Sequence, residues 1–443
     1  MIIRHYCNSF IEVIFSNKKI VCDPWIGNTN ESAWYSWPFY YKSNSFLNQI
    51  KPDFIYISHL HCDHFDPKTL GKYKNKNTKI IIKKFKSKRL KNKIKNLGFK
   101  NIIELKSWEK KRICDEFNIA IIPQMSSNTS ELSDEVNYDL DTSIIIESRI
   151  SKKIFYNNVD NPLSINELKK VKKYINDNFK SNLSIMCYPL GAASGYPQTF
   201  IDLNKSHEKK KIIEKSFEKL GKVLKIFEPE IFFPAGGTYM ISGKFNVLNK
   251  WIAQPSNGEI KNYFKNKHCK LVNIEGGDCI NLNNEFKNIK TSRELGVIKS
   301  KFQMNLSKIK YFYQLKKNKK SVNFLNRLFD ECQEKYYHRV KLLNVKTNWN
   351  IKINIFDDIK LKSNGQIKKS SSGFIKSYVI SSQYENRNKK IDLVCNLDKD
   401  LFFCLMMKYS PWNTALTGSI ILFSRKSKIY NPTIENSLNF FTN

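Results

Sequence analysis

The sequence HLHCDH at residues 59–64 places three histidines and one aspartate within six positions, in a chain with seven histidines. Imidazole nitrogens and carboxylate oxygens are ligands that zinc, iron and manganese accept. His59 and His61 stand two positions apart and can share one metal ion, whereas Asp63 and His64 can face a second. The spacing therefore predicts a site for one or two divalent metal ions, with iron and zinc as the leading candidates.

The chemistry expected of this motif is the activation of a metal-bound water. A metal ion with an open coordination position lowers the pKa of a bound water and produces a nucleophile near neutral pH. The carboxylate of Asp63 can hold or deprotonate that water, so Asp63 is the predicted catalytic residue. A polar turn with coincidental histidines is the competing interpretation. It does not account for their density or for the apolar segment before them.

The residues before the motif, DFIYIS at 53–58, are apolar on both faces, which is typical of a central strand. A strand fixes where the following loop begins, so that several ligands can converge on one point. Around it, β-like runs such as FIEVIF (10–15) alternate with helical stretches such as the amphipathic segment 207–227. This alternation predicts an α/β fold in which helices cover sheets.

The pattern changes near residue 295, and we predict two units. The first, over residues 1–295, is a metal-binding catalytic domain, and the second, over 296–443, is a smaller α+β accessory domain. The second unit contains a helical pattern at 322–342 and strand-like runs at 374–381 and 419–425. The chain has 443 residues, more than one compact core usually takes, which agrees with this division.

The chain is strongly basic, with 75 Lys and Arg, 40 Asp and Glu, and a net charge of +35. Such an excess suits an anionic partner, either a small anionic substrate, an anionic lipid or a nucleic acid. A compositional background is the competing interpretation, because the lysines are spread along the whole chain among asparagine and isoleucine. No RNA-binding motif is present, so nucleic acid is not the expected partner.

The ten cysteines stand singly, and no CxxC pair occurs. This argues against a zinc ribbon and against an iron–sulfur site in the chain. Several cysteines lie in apolar runs, which is typical of reduced, buried thiols in a cytosolic protein. The N-terminal residues lack the shape of a signal peptide, and no apolar run is long enough to cross a membrane. The expected location is the cytoplasm.

An HxHxDH motif after such a strand resembles the metallo-β-lactamase superfamily. The resemblance implies an αββα sandwich with a one- or two-metal site between its sheets. Further segments, in the same order, resemble the non-Rieske part of CMP-N-acetylneuraminate hydroxylases and cover about residues 10–240. These segments are CDPWIGNTNESAWYSWP (22–38), DFIYISHLHCDHFDPKTL (53–70), DLDTSIIIES (139–148), NNVDNP (157–162), GAASGYPQTF (191–200) and FFPAGG (232–237).

The resemblance also implies roles for individual residues. Asp160, at the end of a strand-like run, corresponds to a bridging carboxylate and joins the metal-binding residues of the first loop. Asp23, at another strand end, is expected to brace that loop from behind. The glycine-rich loop GAASGYP at 191–197 has small residues that can let backbone N–H groups approach an anion. The predicted substrate contacts are Ser194, Gly195, Tyr196 and Gln198.

The sequence departs from the superfamily at two points. The superfamily usually supplies another histidine between the first loop and the bridging aspartate, but no histidine lies between His64 and Asp160. Asn137 stands near the matching position and is expected behind the ligands rather than among them. A later histidine, expected near the glycine turn at 232–237, is also absent, and residues 242–244 there are Ser, Gly and Lys. His207 and His268 are possible replacements in lysine-rich surroundings. The number of metal ions therefore stays open.

Three functions remain open from the sequence. The first is a metal-dependent enzyme acting on a nucleotide-activated, sialic-acid-like sugar. It would proceed either by hydroxylation with electrons from a separate Rieske or reductase partner, or by hydrolysis with metal-activated water. The second is a phosphodiesterase of the same fold that acts on phospholipid or RNA. The third is a degenerate relative that kept the first loop without catalysis.

Overall fold

The computed structural model describes nine stretches of the chain. They are residues 1–40, 42–125, 141–192, 195–282, 305–316, 321–345, 348–382, 390–425 and 431–443.

Strands dominate the first part of the chain and recur near its end. They are β1 (Ile2–Cys7), β2 (Phe10–Ile14), β3 (Lys19–Cys22), β4 (Asn28–Thr29), β5 (Trp34–Ser36), β6 (Phe54–Tyr56), β7 (Lys79–Lys83), β8 (Ile102–Leu105), β9 (Lys111–Arg112), β10 (Phe117–Pro123), β11 (Thr142–Ser148), β12 (Ile154–Asn157), β13 (Leu183–Tyr188), β14 (Ile231–Pro234), β15 (Tyr239–Ile241), β16 (Lys270–Leu271), β17 (Cys279–Asn281), β18 (Asn350–Phe356), β19 (Phe374–Ser381), β20 (Leu393–Asp398) and β21 (Leu422–Arg425).

Helices lie between the strands and in the C-terminal part. They are α1 (Leu47–Ile50), α2 (Pro67–Lys72), α3 (Arg89–Asn96), α4 (Ile165–Asn178), α5 (Lys205–Phe227), α6 (Asn257–Phe264), α7 (Phe312–Leu315), α8 (Val322–Leu342), α9 (Lys369–Ser372), α10 (Lys399–Met406), α11 (Trp412–Thr417) and α12 (Pro432–Ser437). None of the described helices combines the length and the apolar character needed to cross a lipid bilayer.

Two seven-stranded sheets form the centre of the fold. The first has the order β17-β1-β2-β3-β6-β7-β8, and the second has the order β16-β14-β13-β12-β11-β10-β9. In the first sheet β3, β6, β7 and β8 run parallel, so the loops that follow them open on one edge. In the second sheet β12, β13 and β14 run parallel. A smaller sheet, β15-β5-β4, lies beside them.

The two large sheets pack face to face, and helices cover their outer faces. Strand β11 shows why, because Ile144 and Ile146 lie in the core between the sheets and Ile145 lies in the core under the helices. Helices α4, α5 and α6 contribute to that second core, and α2 and α3 contribute to the matching core on the first sheet. The predicted αββα sandwich is confirmed.

The C-terminal part builds a four-stranded sheet, β19-β18-β20-β21, with α8 and α10 against it. The helix predicted at 322–342 matches α8. The apolar core of this part also takes in Trp34, Phe200 and Tyr239 from earlier in the chain. We refer to residues 305–443 as the C-terminal unit. The predicted domain boundary at residue 295 lies outside the described residues, and the division stays a prediction.

The core between the sheets offers a direct test of this packing. The Ile146→Ala variant is expected to lower the free energy of unfolding by about 2–5 kcal/mol, because the side chain is fully buried and leaves a cavity. Ile150, two residues after β11, is 66% exposed, and Ile150→Ala should change stability by about 0.5 kcal/mol or less. Urea denaturation measures both variants. Equal effects would contradict the assigned faces.

Candidate metal centre

The HLHCDH motif forms a loop between β6 and α2, and we call residues 59–64 the metal loop. The backbone N–H groups of His64 and Phe65 both donate to the carbonyl oxygen of His61, at 3.0 and 2.7 Å. Asp66 then caps α2, since its carboxylate accepts from the N–H groups of Lys68 and Thr69. A strand on one side and a capped helix on the other thus limit the conformations open to the loop.

One possible ligand group consists of His59, His61 and Asp141. The Nε2 atom of His59 lies 2.8 Å from Nδ1 of His61 and 3.2 Å from Oδ1 of Asp141. His59 is buried, whereas the side chain of His61 is 55% exposed. The three candidate ligand atoms lie within 4.8 Å of one another. This group therefore could hold one metal ion, with the side of His61 open to solvent.

A second possible group consists of His59, His64 and Asp160. His64 Nε2 lies 2.8 Å from Oδ2 of Asp160 and 3.5 Å from Oδ2 of Asp63. Asp160 follows β12 and has a left-handed backbone, with φ of 60°. His59 belongs to both groups. The donor atoms therefore fit one ion or two neighbouring ions, and two imidazoles with one carboxylate is a donor set found with iron and with zinc.

Two hydrogen bonds between the sheets, here called the tie, place Asp141 next to the metal loop. The Thr142 hydroxyl donates to the carbonyl oxygen of Ser58 at 2.7 Å, and the Tyr56 hydroxyl lies 2.6 Å from the same Thr142 oxygen. Ser58 precedes His59, and Thr142 follows Asp141. The tie therefore aligns the first residue of β11 with the end of β6.

Asp23 supports the metal loop from the neighbouring strand end. Its carboxylate accepts from the backbone N–H of Ser58 at 2.8 Å and from the Ser58 hydroxyl at 2.6 Å. Oδ2 of Asp23 also lies 2.8 Å from Nδ1 of His64, and the Ser58 hydroxyl lies 2.9 Å from Nδ1 of His59. A histidine whose Nδ1 is bonded in this way presents Nε2 to a metal ion. Both Nε2 atoms in fact face the ligand groups.

The electrostatics of the site match a place for a cation. Burial opposes a charge on His64, but Asp63, Asp160 and Asp23 together raise its pKa well above the ordinary value. Burial raises the pKa of Asp63 and raises that of Asp141 to about 6. Such strongly shifted pKa values cluster at functional sites, since burial and several carboxylates compete there.

A glycine turn packs against Asp160. Gly236, after β14, has φ of +93°, a conformation that favours glycine. A Cβ atom at this position would lie 2.4 Å from Cγ1 of Val159 and 3.3 Å from Oδ1 of Asp160. The FFPAGG segment therefore can approach the carboxylate only because it lacks a side chain there.

The predicted site residues divide into those that meet and those that do not. His59, His61, Asp63, His64 and Asp160 come together, with Asp23 behind them. Asp141 was not among the predicted ligands, although it lies in the quoted segment 139–148. The signal that could have found it is its position directly before a buried strand. Asn137 and Ser194 lie outside the described residues, and His207 and His268 are exposed and outside both ligand groups.

The remaining residues of the glycine-rich loop have other partners. The Tyr196 hydroxyl donates to Glu208 at 2.7 Å, and its ring packs against Phe200. Gln198 is fully buried and donates to the Tyr239 hydroxyl at 2.8 Å. Burial raises the pKa of Tyr239, and the charge of Asp63 adds to this shift. Substrate contact by this loop, including Gly195, stays a prediction.

No protein-family model matches the chain. Over 89 residues, 19% of this chain, it is 35% identical to a Rieske 2Fe-2S iron-sulfur protein of Mycolicibacterium smegmatis, of which the match covers 16%. Over 252 residues, 54% of this chain, it is 26% identical to the cytidine monophosphate-N-acetylneuraminic acid hydroxylase of Xenopus laevis, of which the match covers 38%. The chain thus spans well under half the length of these relatives.

Among solved structures, the chain is similar to an isothiocyanate hydrolase from Delia radicum gut bacteria. The TM-score is 0.45 with 16% identity, and the match covers 64% of this chain and 99% of that one. Two packed sheets with outer helices, and an HxHxDH loop at their edge, are the arrangement that the resemblance to the metallo-β-lactamase superfamily implies. Within that fold, its sequence is similar to part of the cytidine monophosphate-N-acetylneuraminic acid hydroxylase named above.

Metal binding is expected to depend on pH through Asp141. Burial raises its pKa to about 6, and a carboxylate must lose its proton before it ligates a metal ion. Metal affinity of the wild type is therefore expected to fall as the pH drops below about 6. In Asp141→Asn the fall in metal affinity below about pH 6 should disappear, and the affinity should be lower than that of the wild type at every pH. Chelator competition between pH 5 and pH 7 measures both, and equal slopes would argue against Asp141 as a ligand.

Removal of the brace should weaken metal binding without removing a ligand. Asp23→Asn is expected to lower metal affinity about 10- to 100-fold, because His64 loses the carboxylate that orients its ring. Asp53→Asn is the matched control, since Asp53 accepts from the N–H of Lys19 at the opposite end of β6. Isothermal titration with metal compares the two. A brace is ruled out if both variants bind as the wild type does.

Proposed function

We propose that the chain is a metal-dependent enzyme of the metallo-β-lactamase fold that hydroxylates an anionic, nucleotide-activated sugar of the sialic-acid type. The observation that carries the proposal is the convergence of three histidines and two aspartates from three separate segments at one edge of the sandwich. A polar turn with histidines present by chance would not be expected to bring these side chains together. It would also not explain why Ser58 and Asp23 orient the rings of His59 and His64.

The side chains take distinct roles in this proposal. His59, His61, His64, Asp141 and Asp160 would hold the metal, which would supply activation of oxygen or of water when bound. Ser58 and Asp23 orient the rings of His59 and His64. Asp63 is buried beside His64 and can accept or return a proton at the reacting centre. The exposed side of His61 leaves an approach for the substrate.

An anionic substrate is supported by the charge around this edge. Residues 67–103 contain fourteen lysines and arginines and no aspartate or glutamate, although the chain as a whole has 40 acidic residues. The lysine-rich segment 84–88 follows β7, and the metal loop follows the neighbouring parallel strand β6, so both lie on the same edge. A cationic rim beside a cleft attracts anions and raises their local concentration.

Hydroxylation rather than another reaction is supported by the sequence similarity to the sialic-acid hydroxylase over 54% of the chain. The reaction inserts one oxygen atom of O₂ into a C–H bond, and the second leaves as water after uptake of two electrons and two protons. These electrons require an external donor. The similarity to a Rieske 2Fe-2S protein supports a donor of the Rieske type.

Metal analysis with a turnover assay tests the proposal. Protein purified without oxygen and without added metal is expected to hold iron in stoichiometric amount. His59→Ala/His61→Ala should lose at least about 90% of it, because the first ligand group loses two of its three donors and the second loses one. With O₂, a reduced Rieske protein and CMP-N-acetylneuraminate, the wild type should form a product that carries one additional oxygen atom, as seen by mass spectrometry.

His207→Ala/His268→Ala is the matched control, because these histidines are exposed and outside both ligand groups. It should retain metal and activity. If the protein instead holds zinc or manganese and cleaves the substrate with water, the reaction is hydrolysis and the proposed hydroxylation is wrong. Absence of bound metal even after reconstitution would contradict an enzymatic function and leave a relative that kept only the loop.

A further inference from the structure

The turn Asn30–Ser32 has an unusual backbone. Its three residues have φ of 46°, 57° and 73°, and none of them is glycine. Left-handed conformations are uncommon for residues with a side chain, and three in succession are costly. Such conformations persist only where the surroundings impose them, and they occur often at functional sites. The contacts of the turn therefore should reveal what it does.

On one side, the turn holds the centre of the metal loop. The Thr29 hydroxyl donates to the carbonyl oxygen of Cys62 at 3.0 Å. The Cys62 thiol donates to Oδ1 of Asn30 at 2.6 Å. Cys62 stands between His61 and Asp63, so these two bonds fix both the backbone and the side chain in the middle of the HLHCDH motif.

On the other side, the C-terminal unit holds the turn. The buried Ser410 hydroxyl donates to Oε2 of Glu31 at 2.7 Å. Helix α11 follows, and at its end a Cβ atom on Gly418 would lie 3.4 Å from the Cβ atoms of Asn30 and Ala33. The end of α11 thus packs directly on the left-handed residues.

We propose that residues 410–418 position the metal loop by holding the Asn30–Ser32 turn in its left-handed form against Cys62. The inference rests on the proposed function, because it assigns the C-terminal unit a part in metal binding. Without the Ser410 bond, Glu31 can relax to the right-handed region that non-glycine residues favour. That change carries Asn30 and Thr29 away from Cys62, and His61 and Asp63 lose their fixed places.

Four variants test this chain of contacts. Ser410→Ala removes the donor, Glu31→Ala removes the acceptor, and Glu31→Gln keeps an oxygen that can still accept. Ser437→Ala is the matched control, because Ser437 is a buried serine of the same unit that accepts from the Tyr336 hydroxyl at 2.8 Å and lies on α12. Ser437→Ala thus reports what a purely structural loss in this unit does.

Two measurements separate positioning from stability. The first is amide hydrogen exchange, in metal-free protein, of a peptide that covers residues 59–65. The second is the dissociation constant for the metal. Ser410→Ala and Glu31→Ala are expected to speed exchange in this peptide and to weaken metal binding, each about tenfold. Glu31→Gln and Ser437→Ala should keep both values near those of the wild type.

Exchange in the peptide that is equal in Ser410→Ala and Ser437→Ala would overturn the inference. Faster exchange in Ser410→Ala with unchanged metal affinity would also overturn it. The contacts of residues 410–418 would then affect the mobility of the metal loop but not the position of the metal-binding side chains. A wild type that binds no metal would overturn the proposed function. The exchange comparison would still decide whether residues 410–418 hold the loop.

Discussion

The structure of this edge of the protein depends on one constraint, which is that several carboxylates lie close together where little water reaches them. Asp63, Asp141 and Asp160 meet beside imidazoles that burial alone would keep neutral. Like charges repel strongly where water is excluded, and a buried carboxylate is stable only when it is paired, hydrogen-bonded or bound to a cation. His64 supplies part of the compensation, and a divalent metal ion matches what the remaining donors require.

The αββα sandwich makes this collection possible because it offers ends of strands from two sheets at one edge. The metal loop follows β6 of the first sheet, Asp141 precedes β11 of the second, and Asp160 follows β12. The Thr142 hydroxyl joins the two sheets at that edge, and Asp23 joins β3 to the metal loop. The candidate ligands thus stand close to the ends of strands, with hydrogen bonds behind them, which is what precise metal geometry demands.

The C-terminal unit is packed against the sandwich through apolar surface that both share. Trp34 stacks on Tyr239 with ring centroids 3.8 Å apart, and both belong to the core that includes β18, β20 and α10. The Asn30–Ser32 turn lies just before this stack, so packing far from the ligands bears on the backbone next to the metal loop. The sandwich and the C-terminal unit are therefore separate in sequence, but they share a core and are not physically independent.

The amino-acid sequence by itself indicated the more apolar strands, such as those at 53–58 and 142–148, together with the long helices and the position of the metal loop. Helix α8 and the strand at Phe10–Ile14 follow from local periodicity, and the density of histidines at 59–64 identifies the loop without any tertiary information. The alternation of strands and amphipathic helices indicated only sheets covered by helices. The more specific αββα sandwich followed from the resemblance of the ordered motifs to the metallo-β-lactamase superfamily.

Only the tertiary structure decided that Asp141 stands among the candidate ligands and that His207 and His268 do not. A single aspartate carries little local signal, and its approach to His59 depends on the pairing of two sheets through residues more than eighty positions apart. The contact between Ser410 and Glu31 spans a still larger separation. Such contacts are set by packing, which no local pattern encodes, whereas strands and helices are set by the periodicity of neighbouring side chains.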